Sequence, residues 1–127
     1  MKNTQTMPIH RGQIYYVDLG EVSEKNSSLF GKIRPCVIVS NNVCNKTSTI
    51  LTCCCISSKI SKDSKKGRKM PTHVLLSAKD TNLKHDSICM AEQPISISKN
   101  QLLEKIGKVT ESDMCKISAA LRIQLAI

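Results

Sequence analysis

Hydrophobic residues in this chain fall into short runs separated by polar stretches, and only the C-terminal segment follows a helical period. Runs rich in β-branched and aromatic side chains are typical of β-strands, because these side chains pack well on a pleated surface. The pattern predicts strands over Gln13–Leu19, Pro35–Ser40, Thr49–Ser57, Thr72–Leu76, Ser87–Gln93 and Glu104–Val109. The second run is almost entirely apolar, which indicates burial on both of its faces.

The segments between these runs carry turn and capping signals. The pair Asn41-Asn42 predicts a turn, and residues 79–85 predict a turn or a short helical connection. Pro94 is expected to end the fifth strand, because proline lacks the N–H that a strand ladder needs. Residues 98–101 resemble a capping box, which predicts a short helical turn there.

The C-terminal segment predicts an α-helix that begins after Thr110, a residue type that caps helix N-termini. Acidic residues follow at 111 and 113, and negative charge is favourable at that end of a helix. One apolar stripe runs along the helix and consists of Met114, Ile117, Leu121 and Leu125, with Ala120 beside it. We expect this stripe to cover the open side of the sheet or to serve a dimer.

Many short strands followed by one helix predict a mainly β fold, a small and strongly bent sheet or barrel. A length of 127 residues fits one compact domain, and we expect residues 1–127 to form it. Within that domain, residues 1–9 are expected to form a flexible tail and residues 58–70 a basic loop.

Charge narrows the possible partners. Nineteen Lys and Arg residues against ten Asp and Glu residues give a formal net charge of +9. Such an excess favours a polyanion, most often nucleic acid, with a membrane surface as the other candidate. No stretch of about 18 apolar residues is present, so no membrane-spanning helix is expected. Met1–His10 is polar and unlike a signal peptide, so we expect a cytoplasmic protein.

The seven cysteines are interpreted as reduced core thiols. Their number is odd, and no two of them have the C-x-x-C spacing of a zinc site. The usual catalytic motifs, such as G-x-S-x-G, the phosphate-binding loop and H-E-x-x-H, do not occur in the sequence. We therefore expect neither a metal nor a cofactor.

The basic loop concentrates positive charge in one segment. It contains Lys59, Lys62, Lys65, Lys66, Arg68 and Lys69 against the single acid Asp63. A run of charge in a loop is often only solvated, but at this net charge it is also a credible contact for a phosphate backbone. The sequence leaves both interpretations open.

Arg34 is the candidate catalytic residue that the sequence itself indicates. It precedes Pro35, which restricts Arg34 to extended geometry where a loop becomes a strand. If the second and third strands are antiparallel neighbours, Ser57 lies at the same sheet edge, and the two side chains could hold a phosphate. RNA supplies its own nucleophile, the 2′-OH. Alternatively, Arg34 pairs with Glu24 or Glu92, and Ser57 only ends a strand.

Several segments occur in the order and spacing of a known family. They are Arg11–Leu19, Arg34–Asn41, Ile56–Ser57, Pro71–Val74, Asp86–Ser87, Glu92–Gln93, Lys105–Gly107 and the helix from Asp113. On these segments the chain resembles the MazF/PemK (Kid) family of toxin endoribonucleases, from Arg11 to about Leu125.

The resemblance implies an SH3-like β-barrel of six or seven strands with a C-terminal α-helix, acting as a homodimer. It implies metal-independent cleavage of single-stranded RNA at a short sequence, through 2′-OH attack that leaves a 2′,3′-cyclic phosphate and a 5′-hydroxyl. It also implies a MazE-type antitoxin that wraps the dimer and occludes the RNA groove.

Carried over by position, Arg34 matches the catalytic arginine of the family, and Ser57 falls where many members have a catalytic threonine. Serine keeps the hydroxyl but loses the methyl that restricts χ1. Gln93 matches a position near the RNA groove, and we add four basic-loop residues as RNA contacts: Lys59, Lys65, Lys66 and Arg68.

Two other functions remain as alternatives. A CcdB-like toxin has a similar barrel, binds a protein target and cleaves nothing. A plain basic RNA-binding module would bind with strong salt dependence and leave RNA intact. Aromatic residues are scarce, which argues against a module that stacks bases on a sheet.

Overall fold

The computed structural model describes residues 8–20, 33–58 and 70–127, and six strands in these ranges form one antiparallel sheet. The strands are β1 (Gln13–Asp18), β2 (Ile33–Ile38), β3 (Ile50–Ser57), β4 (His73–Leu76), β5 (Ser87–Ser98) and β6 (Leu102–Lys108). Their order across the sheet is β4-β5-β3-β2-β1-β6, with every neighbouring pair antiparallel. The helices are α1 (Asn42–Thr47), the single turn α2 (Ala78–Thr81) and α3 (Glu111–Leu125). The predicted mainly β fold with a C-terminal helix is confirmed.

Side chains alternate between the two faces of the sheet, and each face carries a buried core. One face bears the strand core, made of Ile9, Tyr15, Val17, Cys36, Ile38, Leu51, Cys53, Cys55, Ile88, Met90, Ile97 and Leu102. The other bears the helix-side core, made of Ile14, Val37, Val39, Cys54, Ile56, Val74, Leu76, Cys89, Ala91, Val109, Ile117 and Ala120. Residues from Cys36 to Val39 are divided between these cores, which confirms the predicted burial of the second strand on both faces.

The interpretation of cysteines as core thiols is confirmed for five of them. Cysteines 36, 53, 54, 55 and 89 are buried, and all seven cysteines are free. Cys44 on α1 and Cys115 on α3 are exposed instead, so two thiols lie outside the cores.

A helix, α1, replaces the turn predicted at Asn41-Asn42. The Asn41 side chain accepts a hydrogen bond from the backbone N–H of Cys44 at 2.8 Å and so caps α1. Asn45 is buried, and its amide donates to the carbonyl of Ser40 at 2.8 Å. Six residues with little apolar content have no helical period, so the sequence pattern could not separate this helix from a turn.

The predicted end of the fifth strand at Pro94 is wrong, because β5 continues to Ser98. Pro94 lies opposite Cys54, next to a register shift between Cys54 and Ile56. A strand tolerates proline where its ladder is irregular, since the missing N–H then costs no regular bond. The capping box at 98–101 is confirmed: Ser98 N–H donates to the Gln101 side chain at 2.7 Å.

The helix α3 packs on the sheet with its apolar stripe, which is one of the two roles expected for that stripe. Thr110 caps it by accepting a hydrogen bond from the Asp113 N–H at 3.0 Å. Ile117 and Ala120 are buried in the helix-side core, with Met114 and Leu121 packed against it. Leu125 departs from the expectation, because its side chain is 53% exposed beyond the sheet. Within the described ranges, no helix is both long and apolar enough to cross a membrane.

Candidate active site

The strands β2 and β3 are antiparallel neighbours, which is the condition that brings Arg34 and Ser57 together. Their register pairs Cys36 with Cys55 and Val37 with Cys54. The ladder begins at Cys36, and continuing its register by two residues would align Ser57 with Arg34. Both side chains alternate onto the face of the strand core, since Cys36 and Cys55 belong to that core.

Arg34 lies in β2, which has β1 and β3 as its neighbouring strands. It pairs with Val17 of β1, while the ladder to β3 begins at Cys36. Pro35 is the third residue of β2 rather than its first, so the prediction that this proline opens the strand is wrong by two residues. The missing N–H of Pro35 falls just before the β2–β3 ladder starts, which explains how a central strand accommodates it.

The charge of Arg34 lies close to the Cys36–Cys55 pair, whose sulfur atoms are 3.8 Å apart. The pKa of the Cys55 thiol is lowered, first because Cys36 hydrogen-bonds to its sulfur and also because of the positive charge of Arg34, while burial opposes the shift. Ser57 is only 8% exposed at the end of β3. A half-buried cation and a buried hydroxyl therefore lie near the ends of two neighbouring central strands.

Glu92, which the sequence offered as a partner for Arg34, contacts Thr72, just before β4, and His73, the first residue of β4, with its two carboxylate oxygens. Oε1 accepts from the Thr72 hydroxyl at 3.1 Å, and Oε2 lies 2.9 Å from His73 Nε2. His73 lies opposite Met90 and so shares the face of Arg34 and Ser57. His73 Nδ1 is buried and has no hydrogen-bond partner among the described residues. Sequence reasoning missed this group, because nothing in the spacing of residues 73 and 92 indicates their contact.

The opposite face of the sheet carries two clefts that sequence reasoning also missed. The cleft of about 140 Å³ is lined by Tyr16, Arg34, Pro35, Ile56, Ser58, Leu83, Lys84, His85 and Ser87. The cleft of about 300 Å³ is lined by Tyr16, Asn82, Lys84, Glu104, Lys105 and Ile106. Tyr16 and Lys84 therefore border both clefts. No residue pattern could have grouped these positions, since they come from β1, β2, β3, β5, β6 and the connection between α2 and β5.

The family model of the PemK-like, MazF-like toxins of type II toxin–antitoxin systems matches residues 10–125. The chain belongs to this family. Among curated relatives, the Bacillus subtilis (strain 168) endoribonuclease EndoA is 32% identical over 95% of this chain and 97% of its own length. The Staphylococcus epidermidis endoribonuclease MazF is 34% identical over 94% and 92%. The resemblance inferred from Arg34-Pro35 and the accompanying segments is confirmed.

Solved structures agree with this membership of the MazF-like family. An endoribonuclease in complex with its cognate antitoxin, from a mycobacterial species, aligns with a TM-score of 0.73 at 26% identity, covering 94% of this chain and 96% of that one. MazF from Deinococcus radiodurans aligns with a TM-score of 0.72 at 15% identity, covering 94% and 97%, and shows the shared fold.

The other residues expected at the RNA site of a MazF-like chain remain predictions. Gln93 is half-buried on β5, with its Nε2 4.0 Å from the sulfur of Met90, and it lines neither cleft. Lys59, Lys65, Lys66 and Arg68 lie outside the described residues, as does Glu24. Among the described residues, no group of three or more His, Cys, Asp or Glu side chains could hold a metal ion.

Proposed function

We propose that this protein is an endoribonuclease toxin that cleaves single-stranded RNA at a short sequence by using the 2′-OH of the RNA as nucleophile. The observation that carries the proposal is the antiparallel pairing of β2 with β3, which supports a position for Arg34 and Ser57 at the same edge of the sheet. The named activity of the two curated relatives, EndoA and MazF, supports the same reaction class.

In the proposed reaction the 2′-oxygen attacks the adjacent phosphorus while the bond from phosphorus to the 5′-oxygen breaks. The proton of the 2′-OH is lost to solvent or a base, and the 5′-oxygen gains one, so that a 2′,3′-cyclic phosphate and a 5′-hydroxyl result. The reaction needs no protein nucleophile and no metal. The protein contributes mainly by positioning the phosphate and stabilising charge.

Arg34 acts in this mechanism as a fixed cation and hydrogen-bond donor. A guanidinium stays protonated in proteins, so it cannot serve as a base near neutral pH. Its forked N–H groups match two phosphate oxygens, and negative charge builds on those oxygens as the phosphorane-like state forms. The ladder with β1 holds the backbone of Arg34, and the ladder with β3 begins two residues further along, at Cys36.

Ser57 donates a further hydrogen bond from its hydroxyl to the same phosphate. Burial of Ser57 limits the space in which the hydroxyl can rotate, which partly replaces the restriction that a threonine methyl would add. We further propose that the protein is a cytoplasmic homodimer that a MazE-type antitoxin neutralises, as a mycobacterial relative is solved with its cognate antitoxin.

The test is digestion of labelled RNA in the presence of EDTA by wild type, Arg34→Ala and Arg34→Lys, followed by sequencing of the RNA ends. We expect cyclic-phosphate ends at a short motif with wild type and almost none with either variant. Equal cleavage by wild type and Arg34→Ala would identify a contaminating nuclease. Absence of cleavage by wild type would contradict the proposal and favour a CcdB-like binder or a plain RNA-binding module.

A further inference from the structure

The two clefts share the lining residues Tyr16 and Lys84 and are therefore adjacent, and the surface that they make up together is called the groove below; Arg34 also borders it. One end of this groove holds Arg34 and Ser58, and the other end holds Lys105. Arg34 of the proposed catalytic pair thus borders this groove, whereas Ser57 lines neither cleft.

The side chains along the groove suit a single-stranded polyanion. Four of the lining residues are of basic type, Arg34, Lys84, His85 and Lys105, against the single carboxylate of Glu104. Lysine contacts phosphates as a point charge without reading the base, which is what binding along a backbone requires.

Tyr16 is the aromatic side chain that this groove presents. On β1 it alternates with Tyr15, which is 2% exposed within the strand core, so Tyr16 faces the other side of the sheet. Its half-exposed ring borders both clefts, between Lys84 and the strand that carries Arg34. A phenol ring at the centre of a basic groove offers one stacking platform for one base.

The groove is held by contacts between α2 and β6. The side-chain amide of Asn82 donates to the carbonyl of Ile106 at 2.7 Å. A Cβ added to Gly107 would collide with the carbonyl oxygen of Thr81, so only glycine allows α2 to approach β6 this closely. These contacts set the spacing between the end of α2, which Lys84 follows, and β6, which carries Lys105.

We propose that this groove binds the single-stranded RNA that flanks the cleaved bond, with one base stacked on Tyr16 and phosphates bound by Lys84 and Lys105. The proposal rests on the function proposed above and adds the path of the substrate. It assigns these three residues to binding, whereas Arg34 and Ser57 act on the cleaved phosphate.

The experiment measures binding of a 2′-O-methyl RNA oligonucleotide, which lacks the nucleophile, by fluorescence anisotropy across a series of salt concentrations. The variants are Tyr16→Leu, Tyr16→Phe and the double variant Lys84→Ala with Lys105→Ala. The control is Lys116→Ala, which removes an exposed lysine of α3 that lines neither cleft. Melting curves of all variants establish that each is folded.

We expect the double lysine variant to reduce the salt slope of log K by about 1.4, since each phosphate contact on a single strand contributes about 0.7. Tyr16→Leu should weaken binding about fivefold to 100-fold, and Tyr16→Phe, which keeps the ring, should restore it to within about threefold. With cleavable RNA, the groove variants should raise KM and leave kcat near the wild-type value.

Two outcomes separate this proposal from the proposed function. If wild type cleaves RNA but the double lysine variant and Tyr16→Leu bind as tightly as Lys116→Ala, the groove is not the RNA path. If wild type cleaves nothing while the groove variants still lose binding, the proposed function fails and the groove stands as a nucleic-acid surface.

Discussion

The two faces of the sheet have different proposed roles: the strand-core face carries the residues of the chemical step, and the helix-side face carries the residues that bind RNA. On the strand-core face, Arg34 and Ser57 meet because two central strands pair in one register. On the helix-side face, Tyr16, Lys84 and Lys105 meet because a short connection packs onto an edge strand. The first arrangement depends on a regular ladder and the second on close local contacts. We therefore expect substitutions on the first face to change the rate of the chemical step and those on the second face to change binding.

The largest effect is expected from Arg34→Lys. Lysine keeps the charge but loses the planar fork that contacts two phosphate oxygens. Loss of one donor to a developing oxyanion typically lowers kcat about 100-fold to 1,000-fold, and we expect a loss in that range with little change in KM. Single-turnover cleavage of a labelled RNA measures it. A rate equal to that of wild type would show that charge alone suffices at this position.

A smaller effect is expected from Ser57→Ala. Removing a hydroxyl that donates to a charged phosphate should lower kcat about tenfold to 100-fold. Ser57→Thr restores the hydroxyl and adds the methyl that restricts χ1, so it should retain or raise the wild-type rate. Because Ser57 is buried, the melting temperatures of both variants need to be compared first. Unchanged kcat in a folded Ser57→Ala protein would remove Ser57 from the mechanism.

A different kind of substitution, Gly107→Ala, tests the role of the groove. The added methyl would collide with the Thr81 carbonyl and push α2 away from β6. Overpacking of this kind costs about 1–3 kcal/mol of the free energy of unfolding, and we expect KM to rise as Lys84 and Lys105 separate. Urea unfolding and steady-state cleavage measure the two consequences.

Asn82→Gly is the matched control for Gly107→Ala. Asn82 has a φ of +70°, a backbone conformation that glycine accepts, so the variant removes only the hydrogen bond to Ile106. It should cost about 1 kcal/mol and raise KM less than Gly107→Ala does. Equal KM values for wild type and Gly107→Ala would mean that the spacing of α2 and β6 does not matter for substrate.

The difference between the two faces also explains which site residues the sequence could predict. Arg34 and Ser57 could be found because each lies at the end of an apolar run, and a guess that the runs are antiparallel neighbours brings them together. Tyr16, Lys84 and Lys105 could not, because their proximity depends on a one-turn helix and on the close approach of Gly107 to Thr81. Local signals thus predict strand ends, but not contacts that turns create between distant segments.

The continuation of β5 past Pro94 could not be predicted for a similar reason. A proline within an apolar run predicts the end of a strand, and the sequence contains no sign of the register shift that lets the strand continue past Pro94. The Glu92–His73 contact follows from the pairing of β4 with β5, which the two separate runs do not reveal.

The smallest predicted effect concerns a thiol of the helix-side core. The pKa of the Cys89 thiol is raised, first because it hydrogen-bonds to Cys54 and also because it is buried. A raised pKa in the folded state means that the unfolded chain releases this proton first as the pH rises. Stability is therefore complete below the ordinary pKa of a thiol, about 8.5, and falls above it, by up to about 1.4 kcal/mol per pH unit for one group.

Cys89→Ala should flatten the fall in melting temperature between pH 8.5 and pH 10, apart from a constant loss due to the smaller side chain. Cys115→Ala is the control, because that thiol is exposed on α3 and its removal should leave the slope unchanged. The pKa of buried Tyr15 is raised as well, by desolvation, so both variants should still lose stability above about pH 10. Parallel pH profiles for wild type and Cys89→Ala would show that a protonated Cys89 thiol in the helix-side core does not contribute to the free energy of unfolding.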